Sequence, residues 1–253
     1  MLYLIGTGLS SKDISLNSLE IIKRSKKVYL EIYTSKLEKQ LKELEKSYQV
    51  KIHPASRNLL ENTNEIVEES LENDVVLLVI GTPLFATTHT DIILRVKEKK
   101  GLVKVVHNSS ILNVYGCCGL YSYTFGKIIS IPFFENSWKP TSFYFNILSN
   151  KNINLHTLCL LDLRITEENE LYMSPNIALD QLLQCESIEK KGLITLDTEV
   201  FVISRFGCEN EEICYGKIGE MIKKDFGEPL HSLIIPGKMD VLEKEHVEML
   251  FKK

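Results

Sequence analysis

Long apolar runs are missing from this sequence. None approaches the roughly 18 residues that a membrane-spanning helix needs. The apolar N-terminus MLYLIGTGLS is too short for a secretory signal and has no basic flank before it. The net charge is −4 and Lys and Arg are dispersed, so the basic stripe of a nucleic-acid-binding domain is also absent. We therefore expect a cytoplasmic protein that binds neither membranes nor nucleic acid.

Cysteine motifs are equally scarce. No two of the six cysteines have C-x-x-C spacing, and the adjacent Cys117 and Cys118 cannot easily bridge each other. The spacing of Cys208 and Cys214 does not match a zinc site. We expect reduced thiols and no metal.

The first part of the chain alternates apolar runs with helical patterns, which is typical of an α/β domain with a mostly parallel sheet. The run VVLLVI (75–80) predicts a strand that is covered on both faces. Ser15 precedes an apolar stripe of helical period and is a candidate cap. The predicted strands are 2–5, 27–33, 49–53, 75–80 and 102–107, and the predicted helices are 16–25, 35–48, 62–73 and 88–100.

The second part is richer in aromatic residues and carries no flexible linker before it. We predict two α/β domains, 1–108 and 109–253, that pack closely and leave a cleft for a ligand. The predicted strands here are 127–131, 155–161, 199–205 and 231–236, and the predicted helices are 141–149, 175–190, 216–225 and 240–252.

Three predicted strands of the first domain end in polar loops: GTGLSS (6–11), GTPLFATTH (81–89) and HNSSIL (107–112). Ser11 occupies the place of the third glycine in a dinucleotide-binding loop, and no G-K-[ST] follows any of the loops. Ligands bind beyond the carboxyl ends of parallel strands. These neutral groups favour a ligand with ribose, amide and zwitterionic parts over a polyphosphate. A plainer alternative is that Thr87 and Thr88 only cap the next helix.

Catalytic groups are harder to find. His89, His107 and His231 are candidate bases, although a histidine in a loop is more often structural. No Ser/His/Asp or Cys/His set can be argued from spacing. The paired carboxylates Glu167 and Glu168 lie in a polar segment and are expected to face solvent.

Several stretches together resemble one family. MLYLIGTGLS, DISLNSLEIIKRSKKVYLEIYTS, GTPLFATTHTD, HNSSI, NSWKPTSFY, LHTLCLLDL and DFGEPLHSLIIPGKM are similar, in matching order, to the diphthine synthases. The resemblance implies the two-domain tetrapyrrole-methylase fold of class III methyltransferases, a homodimer, and S-adenosylmethionine between the domains. It further implies methylation of the amine on a modified histidine of translation elongation factor 2. Two segments resemble the eukaryotic branch, which adds a methyl ester.

The resemblance also implies the cofactor contacts. They come from the three loops of the first domain and from strand ends of the second. The residues that match the family's motifs are Leu9, Thr82, Phe85, Ser110, Ile111, Leu161, Phe206 and His231.

Thr82 departs from the family pattern, which has aspartate between Gly81 and Pro83. Threonine keeps a hydrogen-bonding oxygen but loses the negative charge, which would weaken cofactor binding by about 1–3 kcal/mol. Asp91 and Asp162 are other carboxylates near the motifs. This leaves two alternatives open: another methyltransferase of this fold, acting on a tetrapyrrole or ribosomal RNA, and a binding protein that has lost turnover.

Overall fold

In the computed structural model, residues 1–37, 41–135, 137–166 and 169–251 are described. The chain divides into two compact units, one of Met1–Leu112 and Ile165–Asn169, the other of Asn113–Arg164 and Glu170–Lys253. The predicted pair Glu167 and Glu168 lies outside the described residues, as do residues 38–40 of the predicted helix 35–48.

The first unit contains a parallel sheet of five strands in the order β3-β2-β4-β1-β5. Leu77 packs on one face of β4 and Leu78 on the other, in two separate apolar clusters. The continuous apolar run of this strand therefore reflects burial on both sides, as predicted. The strands are Leu2–Gly6 (β1), Lys27–Glu31 (β2), His53–Ala55 (β3), Val75–Val79 (β4) and Val103–Val106 (β5).

Among the described residues of this unit, five helices cover the sheet. Ser15 caps the first, accepting a hydrogen bond from the Ser18 amide, which confirms the predicted cap. Three predictions were wrong in detail. Residues 35–37 of the helix expected at 35–48 are not helical, and α2 begins at Leu41. The strand expected at 49–53 begins only at His53, since Gln49 is left-handed (φ 58°) and ends the preceding helix. The helix expected at 62–73 begins at Glu65, after a separate short helix. The helices are Leu16–Arg24 (α1), Leu41–Tyr48 (α2), Arg57–Asn62 (α3), Glu65–Glu72 (α4) and Thr90–Glu98 (α5).

The second unit contains a mixed sheet of five strands in the order β11-β10-β12-β7-β6, in which only β6 and β7 run parallel. A separate two-stranded sheet pairs β8 with β9, and the last residue of β8, Ile165, belongs to the first unit. Sequence reasoning missed β8, β9 and the edge strand β11. The strands are Ile129–Ile131 (β6), Thr157–Leu161 (β7), Leu163–Ile165 (β8), Glu170–Tyr172 (β9), Glu199–Ser204 (β10), Glu212–Lys217 (β11) and His231–Ile235 (β12).

One face of the mixed sheet packs against α7 and α8, and the ring of Phe201 on the other face contacts Tyr215 and Phe251. The helix predicted at 216–225 was largely wrong, because β11 extends to Lys217 and only one helical turn follows. The helices are Val114–Cys117 (α6), Ser142–Asn152 (α7), Pro175–Glu189 (α8), Ile218–Met221 (α9) and Val241–Phe251 (α10), with 3-10 turns at Ile111–Asn113 and Ser122–Thr124.

All six cysteines carry free thiols. Within the described ranges, no group of three His, Cys, Asp or Glu side chains could hold a metal ion. None of the helices described here has both the length and the apolar character needed to cross a membrane.

Candidate functional site

The first and second predicted loops are joined by their glycines at the carboxyl edge of the parallel sheet. The Gly8 amide donates to the Gly81 carbonyl at 3.1 Å, and the Gly81 amide returns a bond to Gly8 at 2.8 Å. A Cβ at Gly6 would come within 2.5 Å of the Gly81 carbonyl oxygen. Gly8 and Gly81 both have positive φ, near 79°. Glycine is required here because two backbones approach more closely than side chains allow.

Asp13, which sequence reasoning did not single out, holds the first loop in shape. Its Oδ2 accepts the amides of Leu9 and Ser10 at 3.0 and 2.9 Å, and its Oδ1 accepts the Ser10 hydroxyl at 3.0 Å. A carboxylate that accepts several local amides is a frequent device in polar turns. The carboxylate thus fixes the backbone of Leu9, a predicted contact residue.

Asn108, also missed, ties the third loop to the first. Its side-chain amide donates to the carbonyls of Gly6 and Asp13 at 3.0 and 2.9 Å. Its backbone amide donates to Thr82 Oγ1 at 3.3 Å, so the second loop joins the same network. An asparagine in a loop after a strand is a weak sequence signal, because only the fold reveals that its partners lie about a hundred residues away.

The three loops that the structure joins at this edge carry five of the predicted contact residues. Thr82 Oγ1 also lies 3.2 Å from His107 Nδ1, so its hydroxyl is engaged with the third loop. Phe85 stands between two left-handed residues, Leu84 (φ 68°) and Ala86 (φ 53°), a strained arrangement of the kind found at binding sites. These five residues are Leu9, Thr82, Phe85, Ser110 and Ile111.

His89 is not available as a base. It is 2% exposed, and its Nε2 lies 3.5 Å from a carboxylate oxygen of Glu31, at the long limit of a hydrogen bond. Burial opposes ionisation of Glu31, but hydrogen bonds from His89, from Thr34 and from two backbone amides outweigh it and lower the pKa of the carboxyl. Glu31 therefore remains ionised inside the unit.

The cap-only interpretation of the second loop was wrong. Helix α5 is capped by His89 without a side-chain hydrogen bond, and the Thr88 hydroxyl donates to Glu61 at 3.1 Å. Asp91, one of the carboxylates considered near the motifs, forms an ion pair with Arg95 at 2.8 Å.

In the second unit, two predicted contact residues lie in one row across the sheet. Leu160 pairs with Ser232, so Leu161 at the end of β7 stands beside His231 at the start of β12. Asp162, which follows, accepts the Phe133 amide at 3.0 Å and lies 3.6 Å from Arg164. This carboxylate is therefore engaged within its own unit.

His231 is held in one tautomer. Its Nε2 lies 3.3 Å from the Phe226 carbonyl, which can only accept, so Nε2 carries the proton. Burial lowers the pKa of the imidazole, so the ring is neutral at pH 7.

Phe206, the remaining predicted contact, follows β10 directly after Arg205. Arg205 is left-handed (φ 49°), and its guanidinium donates to the carbonyls of Phe226 and Glu228 at 2.7 and 2.8 Å. These bonds fix the backbone from which the Phe206 side chain projects.

Comparison with known proteins shows what this chain is similar to. The profile of the tetrapyrrole (corrin/porphyrin) methylases matches residues 1–222. A diphthine methyl ester synthase of Dictyostelium discoideum is 42% identical over 265 residues, covering 98% of this chain and 97% of the relative. A solved structure from Entamoeba histolytica has a TM-score of 0.92 at 38% identity, covering 100% of this chain and 99% of that one. A solved diphthine synthase has a TM-score of 0.89 at 30% identity, covering 99% and 96%. The similarity therefore extends over both units.

Proposed function

Because the chain belongs to the tetrapyrrole methylases and, among them, to the diphthine methyl ester synthases, we propose that it methylates the modified histidine of elongation factor 2 with S-adenosylmethionine. The full-length similarity carries this proposal. It also argues against a tetrapyrrole or ribosomal RNA substrate, since relatives that match along nearly the whole chain are diphthine methyl ester synthases.

The described residues suit such a cofactor in two respects. The three loops of the first unit combine glycine backbone with uncharged hydrogen-bonding groups, and no Lys or Arg occurs in 6–10, 81–88 or 107–112. In the second unit, Ser204 Oγ and His231 Nδ1 are buried polar atoms without a hydrogen-bond partner among the described residues. Both observations favour a ligand with many neutral polar groups over a polyphosphate.

We assign cofactor binding to residues of each unit. In the first, Asp13 and Asn108 hold the loops while neighbouring residues make the contacts. In the second, contact comes from the ends of β7 and β12 and from the segment after β10. The contact residues are Leu9, Thr82, Phe85, Ser110 and Ile111 of the first unit, and Leu161, Phe206 and His231 of the second.

When bound, the cofactor supplies a methyl group that is already activated on a positively charged sulfur. The task of the protein is then mainly alignment, because an in-line displacement needs its reactants held in one geometry. The accepting amine must be unprotonated, and water can take its proton. His231 is neutral, and its Nδ1 has no partner among the described residues, so it can accept a hydrogen bond from a ligand. His89 has no such role, because Glu31 and the surrounding core enclose it.

The partner in this proposal is elongation factor 2, and the reaction accordingly takes place in the cytoplasm. The homodimer implied by the family resemblance remains part of the proposal. Sedimentation of the purified chain would test it, and a single monomeric species at micromolar concentration would exclude it.

Label transfer tests the activity. The chain is incubated with methyl-labelled S-adenosylmethionine and elongation factor 2 that carries the aminocarboxypropyl histidine, and unmodified elongation factor 2 serves as the control. We expect label on the modified factor alone, part of it lost in mild base as expected for a methyl ester. Cofactor binding without transfer would contradict the proposal and favour a binding protein that has lost turnover.

A further inference from the structure

Cys214, Lys224 and Glu212 form a closed triangle of contacts at the edge of the mixed sheet. The Lys224 ammonium donates to Cys214 Sγ and to Glu212 Oε1, at 2.8 Å in each case. The Cys214 thiol donates to the same Glu212 oxygen at 3.2 Å. Sulfur is larger than oxygen and a weaker acceptor, so a hydrogen bond to sulfur is ordinarily longer than one to oxygen. Here the two distances are equal, so the Lys224 nitrogen lies unusually close to the sulfur.

The fold anchors both partners of this contact. Cys214 and Glu212 are two residues apart on β11, so their side chains leave the strand on the same face. There Cys214 packs against the apolar cluster of the second unit. The Lys224 carbonyl accepts a bond from the Asn176 side chain of α8 at 2.9 Å, and Lys224 Nζ lies 5.6 Å from the ring centre of Phe226. Nitrogen and sulfur are therefore held together by packing on both sides.

This thiol differs from the acidic thiols of common redox sensors. Burial raises the pKa of the Cys214 thiol, and the bonds to Cys214 and Glu212 raise the pKa of the Lys224 ammonium. Both groups keep their protons at pH 7, whereas sensor cysteines react as thiolates. The triangle offers proximity instead, together with a carboxylate that can take a proton from either partner. The side chains of Lys224 and Glu212 are 41% and 42% exposed, so a small oxidant can reach the group.

We propose that Cys214 and Lys224 form a reversible covalent cross-link through one oxygen atom, an N–O–S bridge, when the protein reacts with dioxygen. One S–O bond and one N–O bond form, while the S–H bond, two N–H bonds and the O–O bond break. Sulfur and nitrogen each give up two electrons, and dioxygen takes all four. The second oxygen atom leaves as water with two of the three hydrogens, and the remaining proton goes to Glu212.

The bridge joins the edge strand β11 to the segment after α9, since Cys214 and Lys224 are 10 residues apart in the chain. A cross-link of this kind stabilises a fold mainly by restricting the unfolded chain, as a disulfide does. We expect the oxidised protein to melt about 5 °C higher than the reduced protein. The inference goes beyond the proposed function and is independent of it, so a failure of methyl transfer would not affect it.

Mass spectrometry of the full chain tests the cross-link. Protein kept in air-saturated buffer is compared with an anaerobic sample treated with dithiothreitol. We expect the oxidised chain to be heavier by about 14 Da, because it gains one oxygen and loses two hydrogens, and dithiothreitol should reverse the gain. A methyl group has nearly the same mass, but a thiol reductant does not remove it. Trypsin cuts after Lys217 and Lys223, between the two partners, so only the bridge keeps their peptides joined.

Variants assign the bridge to this pair. Cys214→Ser and Lys224→Arg should lose the mass gain, the joined peptides and the higher melting temperature, although arginine keeps a positive charge beside Glu212. The matched control is Cys208→Ser, since Cys208 is also partly buried and lies in the same tryptic peptide as Cys214. It should behave like wild type. Three results would each overturn the inference: oxidised wild type without joined peptides, a sulfenic or sulfinic acid on Cys214 in place of the bridge, or joined peptides that persist in Cys214→Ser.

Discussion

Replacing Asp13 tests whether the first loop depends on a single carboxylate. Asp13 accepts two backbone amides and one hydroxyl of Leu9 and Ser10 at 2.9–3.0 Å, and the Ser109 hydroxyl donates to it at 3.5 Å. A hydrogen bond to a charged group contributes about 1.5–3 kcal/mol. The loop is half-buried, so water can replace part of the lost hydrogen bonding in the variant. We therefore expect Asp13→Ala to weaken the free energy of cofactor binding by about 2–3 kcal/mol. That corresponds to a loss of affinity of about 30- to 150-fold.

Asp13→Asn separates the hydrogen bonds from the charge. Asparagine keeps one oxygen that can accept both amides, so we expect affinity to fall only about 3- to 10-fold. Calorimetry with S-adenosylhomocysteine measures both variants. Thermal unfolding should change by no more than about 10 °C, because the affected contacts are local.

Asp197→Ala provides the control, since Asp197 is an exposed carboxylate whose partner is Lys217 at 2.8 Å. It should bind like wild type. The reasoning is refuted if Asp13→Ala also binds like wild type, or if the alanine and asparagine variants lose affinity equally. The second result would mean that the charge matters and the loop geometry does not.

Three further predictions concern a charge, a titration and a cap. Thr82→Asp restores the negative charge and can still accept the Asn108 amide, so it should raise the affinity for S-adenosylmethionine about 5- to 150-fold, as measured by calorimetry. An unchanged affinity would contradict this prediction. Burial opposes ionisation of Glu186, but bonds from a tyrosine and three backbone amides lower its pKa to about 2. The ionised carboxylate therefore contributes to folding stability above pH 4.5, and this contribution is lost as the pH falls toward 2. Denaturant unfolding at pH 5 and at pH 3.5 should show that the wild-type free energy of unfolding falls by about 1 kcal/mol more than that of Glu186→Gln. Glu243, which is 1% exposed, forms a capping box at the start of α10: its carboxylate accepts the Asp240 amide, and its own amide donates to the Asp240 carboxylate. Glu243→Ala should lower the free energy of unfolding by about 3 kcal/mol, and Glu243→Gln by less, as measured by denaturant unfolding.

Much of the fold was predictable because its signals are local. The alternation of buried runs with amphipathic segments identified the parallel sheet, and VVLLVI indicated burial on both faces. The edge strand Glu212–Lys217 was missed because its residues are only partly buried, so they show neither alternation nor a continuous apolar run. The boundary near Gln49 was wrong because a left-handed residue other than glycine leaves little trace in sequence.

The candidate site was predictable in the same uneven way. Glycines and polar residues after strands marked the three loops, since close backbone approach demands glycine whatever the partner. The roles of Asp13 and Asn108 were not predictable. Each acts through donors or carbonyls that the fold brings near, and the partner atoms of Asn108 lie up to 102 residues away in sequence.

By itself, the sequence determined the strand-end loops, the family and the absence of charge at Thr82. The tertiary structure alone decided which polar atoms have hydrogen-bond partners. Cross-strand register places Ser204 opposite His231 and leaves Ser204 Oγ and His231 Nδ1 without a partner among the described residues, whereas Asp91 and Asp162 are engaged elsewhere. The physical reason is that hydrogen-bond satisfaction depends on distances of about 3 Å between atoms that distant segments bring together only on folding.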